Sequence, residues 1–264
     1  MARKRKEESG SYEKLFDLSG RVALVVGAGG GLAGETCLGL AQSGATLFLA
    51  DISSASLQDV SKRLKENGIE PRSQVVDVTK PGSVEKLMKA VSRHSGRLDI
   101  MINFVGIARP TPIDEIDPAE FDKIIDVNLK GSFLLAQHSL RLMVPQRSGK
   151  IILVGSVAGQ IGRPFSAHYT ASKGGIHSMV RTIAVEVAKQ NIQVNSIAPV
   201  FTLTPISAAV LSNPAKKRSI LATIPMGRLG LPSDLVGAMI FLSSRASDFI
   251  TGHTFFVDGG CTIS

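Results

Sequence analysis

Short runs of apolar, largely β-branched residues recur along this chain of 264 residues. They lie at 22–26, 46–50, 74–76, 98–103, 150–155, 193–198 and 254–257. Their hydrophobic residues are mostly continuous rather than alternating, as expected of strands covered on both faces. Between them, residues 32–42, 57–66, 84–94, 121–143, 171–188 and 235–243 carry apolar residues at helical spacing. Strand alternating with helix builds βαβ units. The expected fold is α/β, a doubly wound sheet of seven parallel strands with helices on both faces. Residues 18–264 read as one domain, and 1–17 as a flexible basic extension. Residues 200–230 hold three prolines and little periodicity, a loop long enough to act as a lid.

Composition narrows the function classes. Hydrophobic residues make up 44% of the chain and charged residues 20%, enough for a sizeable core and against global disorder. No apolar run approaches the roughly 18 residues that span a bilayer. The basic start is not followed by the apolar stretch of a secretory signal. Cys37 and Cys261 are too few for a disulfide framework and lack metal-ligand spacing. A cytoplasmic protein with free thiols, no metal and no membrane partner is expected. Of the net charge of +8, Arg3, Lys4, Arg5 and Lys6 supply four units. Such a tip is expected to be a solvated end rather than a nucleic-acid site.

The first strand runs straight into "GAGGGLAGE". Glycine at Gly27 and Gly31 permits a tight turn and close approach of a pyrophosphate. The helix that follows offers free N–H groups and a partial positive charge. This is the dinucleotide-binding arrangement of a Rossmann-type sheet. Asp51 ends the second strand, 20 residues after Gly31. A carboxylate there accepts hydrogen bonds from the ribose hydroxyls of NAD and repels the 2′-phosphate of NADP. No arginine or lysine stands in the turn, so NAD is the expected cofactor. Asp77 ends the third strand beside this site, where it can accept from the adenine amino group.

With these residues in place, the chain resembles the short-chain dehydrogenase/reductase family over residues 17–262. The resemblance rests on "GAGGGLA", "DV" at 77–78, "NFVG" at 103–106, "VNLKGSF" at 127–133, "GSVAG" at 155–159, "YTASK" at 169–173, "NSIAPVFTLT" at 195–204 and "VDGG" at 257–260. It implies a catalytic set of Asn128, Ser156, Tyr169 and Lys173. It also implies cofactor contacts from Gly27, Gly31, Leu32, Asp51, Asp77, Val78, Asn103, Tyr169, Lys173 and Thr204, and a homotetramer. In that scheme Tyr169 is the proton acceptor of alcohol oxidation, Ser156 binds the substrate oxygen and Asn128 holds a water. Lys173, one helical turn beyond Tyr169, is expected to favour its phenolate. Lowering a phenol from a pKa of about 10 by three units asks for about 4 kcal/mol.

The chain departs from the family pattern at Val26, Ala33, Phe104 and Val200. Ala33 adds a methyl group where helix and strand pack closely. Its carboxyl-terminal segment resembles the sugar-acid branch, which contains gluconate 5-dehydrogenases and ketodeoxygluconate dehydrogenases. Arg109 is then a candidate for the substrate carboxylate, bound bidentately; Arg163 and His168 border the same expected cleft. A reductase of another small carbonyl compound, such as a 3-oxoacyl thioester, is the alternative enzyme. A nucleotide sensor without turnover is the alternative outside catalysis, against which the complete catalytic set argues.

Overall fold

The structure, a computed structural model, describes residues 12–204, 207–208 and 211–264. Most of the basic extension lies outside the described residues; its end, Tyr12–Leu15, forms a single 3₁₀ turn. The seven strands are β1 (Val22–Val26), β2 (Thr46–Asp51), β3 (Arg72–Val75), β4 (Ile100–Asn103), β5 (Gly149–Val154), β6 (Ile192–Pro199) and β7 (Thr254–Val257). They pair in parallel in the order β3-β2-β1-β4-β5-β6-β7. The described helices are α1 (Ala33–Gln42), α2 (Ser54–Lys65), α3 (Pro81–Ser95), α4 (Pro118–Ile125), α5 (Gly131–Gln146), α6 (Ala167–Val187), α7 (Pro214–Ala222) and α8 (Val236–Ser243). Among the described residues, no helix is long and apolar enough to cross a membrane.

Side-chain alternation along β1 explains both layers. Val22, Leu24 and Val26 enter one core with residues of α3, α5 and α6. Ala23 and Val25 enter the other with residues of α1, α2 and α8. Because both faces are covered, every residue of β1 is buried, which is why the strand reads as an unbroken apolar run. β3 is one of the two edge strands, and its exposed residues explain its weaker signal and its shift to Arg72–Val75.

Local chemistry sets the helix starts. Ser53 accepts a hydrogen bond from the Ser56 N–H and caps α2. Asp117 caps α4 through the Ala119 N–H, with Pro118 in the first turn. α6 begins at Ala167, earlier than the spacing predicts, so Tyr169 stands in its first turn.

The expected helix over residues 121–143 is present, but it is not α-helical throughout. A π turn at Asp126–Lys130 separates α4 from α5, with the Gly131 N–H reaching back to the Asp126 carbonyl. Asn128 lies within this turn and is fully buried. Its side chain clamps the Ile107 backbone at both N–H and C=O, and these contacts accompany the widened turn. In the 200–230 segment, α7 and a bridge between Thr202 and Gly230 give the expected loop some structure of its own.

His177 packs tightly under the end of β5. A methyl group built on Gly155 would collide with the His177 ring and come within 2.9 Å of Ser196 Oγ. Gly155→Ala should therefore destabilise the fold by about 1–3 kcal/mol through overpacking. Chemical denaturation of the purified variant checks this; an unchanged midpoint would contradict the packing described.

Candidate active site

The strand order reverses between β1 and β4, and a crevice opens there beyond their carboxyl ends. Gly27 follows β1 with φ +76°, and a Cβ on it would lie 2.8 Å from the Val105 nitrogen. The turn after β1 thus presses directly on the turn after β4, which only glycine permits. Gly30 and Gly31 are exposed, and Leu32 precedes α1 without a side-chain cap on its first N–H groups. An uncapped helix start next to exposed glycines suits a pyrophosphate.

Asp51 braces this turn. Its Oδ2 accepts from the Gly29 N–H and its Oδ1 from the Ser53 N–H, both at 3.0 Å. A Cβ on Gly29 would collide with Ser56, so the start of α2 sits against the glycines. The carboxylate is held in one orientation at the edge where the ribose of a dinucleotide is expected. Arg63 of α2 reaches the first turn of α1, where it is paired with Glu35. Asp77 turns onto Thr79, accepting from its N–H at 2.9 Å and its hydroxyl at 2.7 Å; these bonds hold its carboxyl below the usual range. Val78 is buried against Gly131.

Asn103 and Asn128 stabilise the walls. The Asn103 amide donates to Ser132 Oγ at 2.9 Å, and its carbonyl oxygen accepts from the Val105 N–H. Asn128 donates to the Ile107 carbonyl and to Ser172 Oγ, and accepts from the Ile107 N–H. Both its amide hydrogens are thereby committed. Through these bonds Asn128 clamps the loop after β4.

Ser156, Tyr169 and Lys173 converge from the end of β5 and the start of α6. Ser156 is buried, and its Oγ accepts from the Ala158 N–H at 3.1 Å. Lys173 is buried and donates to the Val154 carbonyl at 2.8 Å. Burial pulls its pKa down to about 8. Its Nζ lies 5.9 Å from the Tyr169 ring centroid.

Burial pushes the Tyr169 phenol up, opposed by a hydrogen bond with Ser156 and by the Arg163 charge. The Lys173 ammonium, expected to favour the phenolate, is anchored by its bond to the Val154 carbonyl.

The rim of the cleft is more ordered than the sequence suggests. Arg109 is exposed and pairs with Glu120 of α4 at 3.1 Å. His168, expected at the rim, has no exposed surface and contacts the same carboxylate through Nε2 at 3.0 Å. Glu120 gave no sequence signal beyond that of an ordinary helix glutamate. His177 of α6 was also missed; burial holds it neutral, with its pKa lowered to about 4. Arg163 lies 6.0 Å over the Phe201 ring. Thr204 starts a short helical turn, its Oγ1 accepting from the Ser207 N–H. The departures fit: Val26 and Ala33 are fully buried in the two cores, Phe104 packs against one of them, and Val200 packs with Val157, Ile224 and Cys261.

A family model described as enoyl-(acyl carrier protein) reductase matches residues 27–262. The chain belongs to the short-chain dehydrogenase/reductase family. It is 34% identical over 250 residues to 5-keto-D-gluconate 5-reductase of Escherichia coli (strain K12), covering 95% of this chain and 98% of that one. It is 36% identical over 247 residues to a 3-oxoacyl-(acyl-carrier-protein) reductase of Thermotoga maritima, covering 93% and 99%. A gluconate 5-dehydrogenase from Burkholderia cenocepacia J2315, solved in complex with NADP and tartrate, superimposes with a TM-score of 0.91 at 34% identity, covering 96% and 99%. As a short-chain dehydrogenase/reductase the protein is an oxidoreductase acting on a hydroxyl or keto group with a nicotinamide cofactor.

The chain has two tyrosines and no tryptophan, so its phenolate absorbance is unusually simple. In a Tyr12→Phe variant the one remaining phenol, Tyr169, should titrate above the ordinary value of about 10. Adding Ser156→Ala should raise it further, because a hydrogen bond that favours the phenolate is lost. Ultraviolet titration of the purified variants checks both; a lower midpoint after Ser156→Ala would contradict the assignment.

Proposed function

We propose that this short-chain dehydrogenase/reductase oxidises a secondary alcohol of a sugar acid with NAD and reduces the corresponding ketone in the reverse direction. The observation that carries the cofactor reading is the Asp51 carboxylate, fixed by the Gly29 and Ser53 N–H groups beside the glycine turn. A carboxylate so held supports NAD, because it would repel a 2′-phosphate at that position. The relatives that act on gluconate derivatives support the substrate class, as does the exposed guanidinium of Arg109. The NADP bound to the Burkholderia enzyme makes the cofactor the first thing to test.

The residues divide the work as follows. Ser156, its Oγ steadied by the Ala158 N–H, offers its hydroxyl to the substrate oxygen beside Tyr169. Tyr169 accepts the alcohol proton in oxidation and returns it in reduction. Lys173 spends one hydrogen on Val154 and keeps two for the ribose hydroxyls. Asn128 holds Ile107, and with it Gly106, whose Cβ position lies 3.1 Å from Lys173 Nζ. A nicotinamide held beside Lys173 would supply the hydride acceptor for oxidation and the hydride donor for reduction.

A raised phenol has a direct consequence for pH. The proton-accepting form of Tyr169 becomes populated only as pH rises, so alcohol oxidation should accelerate into the alkaline range. Ketone reduction, which uses the protonated form, should be level near neutrality and fall at alkaline pH. Initial rates in both directions across pH check this.

Tyr169→Phe should lower kcat for oxidation by about 10²-fold or more while NAD still binds. Asp51→Ala should reduce the preference for NAD over NADP. Rates with both cofactors over a panel of sugar acids, sugars, polyols and secondary alcohols give the readout. A wild-type preference for NADP would overturn the reading of Asp51, and turnover confined to 3-oxoacyl thioesters would overturn the sugar-acid reading.

A further inference from the structure

Glu120 gathers three contacts from two separate parts of the chain, the loop after β4 and the first turn of α6. Its Oε1 accepts from Thr111 Oγ1 at 2.6 Å and meets His168 Nε2 at 3.0 Å. Its Oε2 pairs with Arg109 Nη1 at 3.1 Å. The Thr111 N–H donates to the Phe165 carbonyl at 2.9 Å, and Phe165 has φ +60°, a left-handed backbone that a phenylalanine rarely adopts. One carboxylate on α4 thus ties the loop after β4, the turn leading into α6 and the residue preceding Tyr169. The Glu120 side chain is only 14% exposed, against 73% for Arg109. Its three partners together hold its carboxyl below the usual range, Thr111 contributing most.

We propose that Glu120 is a positioning residue that sets substrate specificity by holding the Arg109 guanidinium at the mouth of the cleft, ready for the carboxylate of the substrate. This rests on the reading of the substrate as a sugar acid bound by Arg109. An arginine side chain carries a large rotamer entropy, and a free one would lose much of it on binding. Glu120 takes that loss in advance while engaging a single guanidinium nitrogen. The remaining N–H groups of the fork stay available to a second carboxylate. The negative charge so close to an anion site is offset by the hydrogen of Thr111 and by Arg109 itself. Neutral substrates gain nothing from this arrangement, so its effect is on selectivity between acid and polyol.

Glu120→Gln tests the idea with little disturbance. The amide oxygen still accepts from Thr111 and His168, but the amide nitrogen cannot pair with Arg109. The measurement is the ratio of kcat/KM for gluconate, or the sugar acid turned over fastest, to that for its neutral polyol, in the full-length enzyme with its preferred cofactor. The ratio should fall about three- to tenfold in Glu120→Gln, the scale of immobilising one long side chain. The fall should sit in KM for the acid rather than in kcat. Arg109→Ala should also lower the ratio, and adding Glu120→Gln to Arg109→Ala should lower it no further. Glu120→Asp withdraws the carboxylate by one methylene group and should give a similar fall, which serves if the amide variant folds poorly. A ratio that falls in Arg109→Ala but is unchanged or higher in both Glu120 variants overturns the role of Glu120 and leaves the Arg109 reading standing. A ratio unchanged in Arg109→Ala overturns both.

Discussion

Two backbones meet where the sheet reverses its strand order, and the rest of the site depends on that contact. The turn after β1 lies against the turn after β4 at Gly27, with no room for a side chain between them. This closeness sets the floor of the crevice and aligns the uncapped start of α1 with it. It also fixes where β4 releases its loop. Asn103 then secures Val105, and Asn128 secures Ile107, so the loop leaves the crevice floor along one path toward the rim. The catalytic side chains come from the other side, off β5 and α6, and meet this path at Gly106 beside Lys173.

The scaffold was largely legible because burial on both faces writes itself plainly into composition. β1 and β7 fall where their apolar runs fall, β2 runs one residue further, and β5 begins and ends one residue earlier. Exposure along most of its length explains the weaker fit of β3, whose residues have less reason to be apolar. The split between α4 and α5 was not legible. Apolar periodicity continues across residues 121–143, and the π turn is made of contacts between Asn128 and a loop more than twenty residues away.

The site divides in the same way. Glycines, Asp51 and the Tyr169–Lys173 spacing are local patterns, and they point to the crevice. Direction and environment are not local. Spacing put Lys173 on the face of Tyr169, but the position of the Val154 carbonyl decides where its ammonium turns. His168 looked like a rim residue because it is polar and next to Tyr169, yet α4 packs over it and Glu120 supplies the partner that allows its burial. Glu120 itself is visible only once loop, α4 and α6 are brought together.

The π turn at Asp126–Lys130 has a mechanical meaning for the family scaffold. Each α-helical residue advances about 100° around the axis, so the wider turn puts α4 and α5 out of phase by about one residue. Helix α5 can then keep Leu135 and Met143 in the core on its own helical phase, while α4 presents Glu120 to the cleft on another. The residue that holds the cleft mouth and the residues that hold the core are thereby separated along what would otherwise be one rod. Variation at the substrate end need not be transmitted to the packing that supports the sheet.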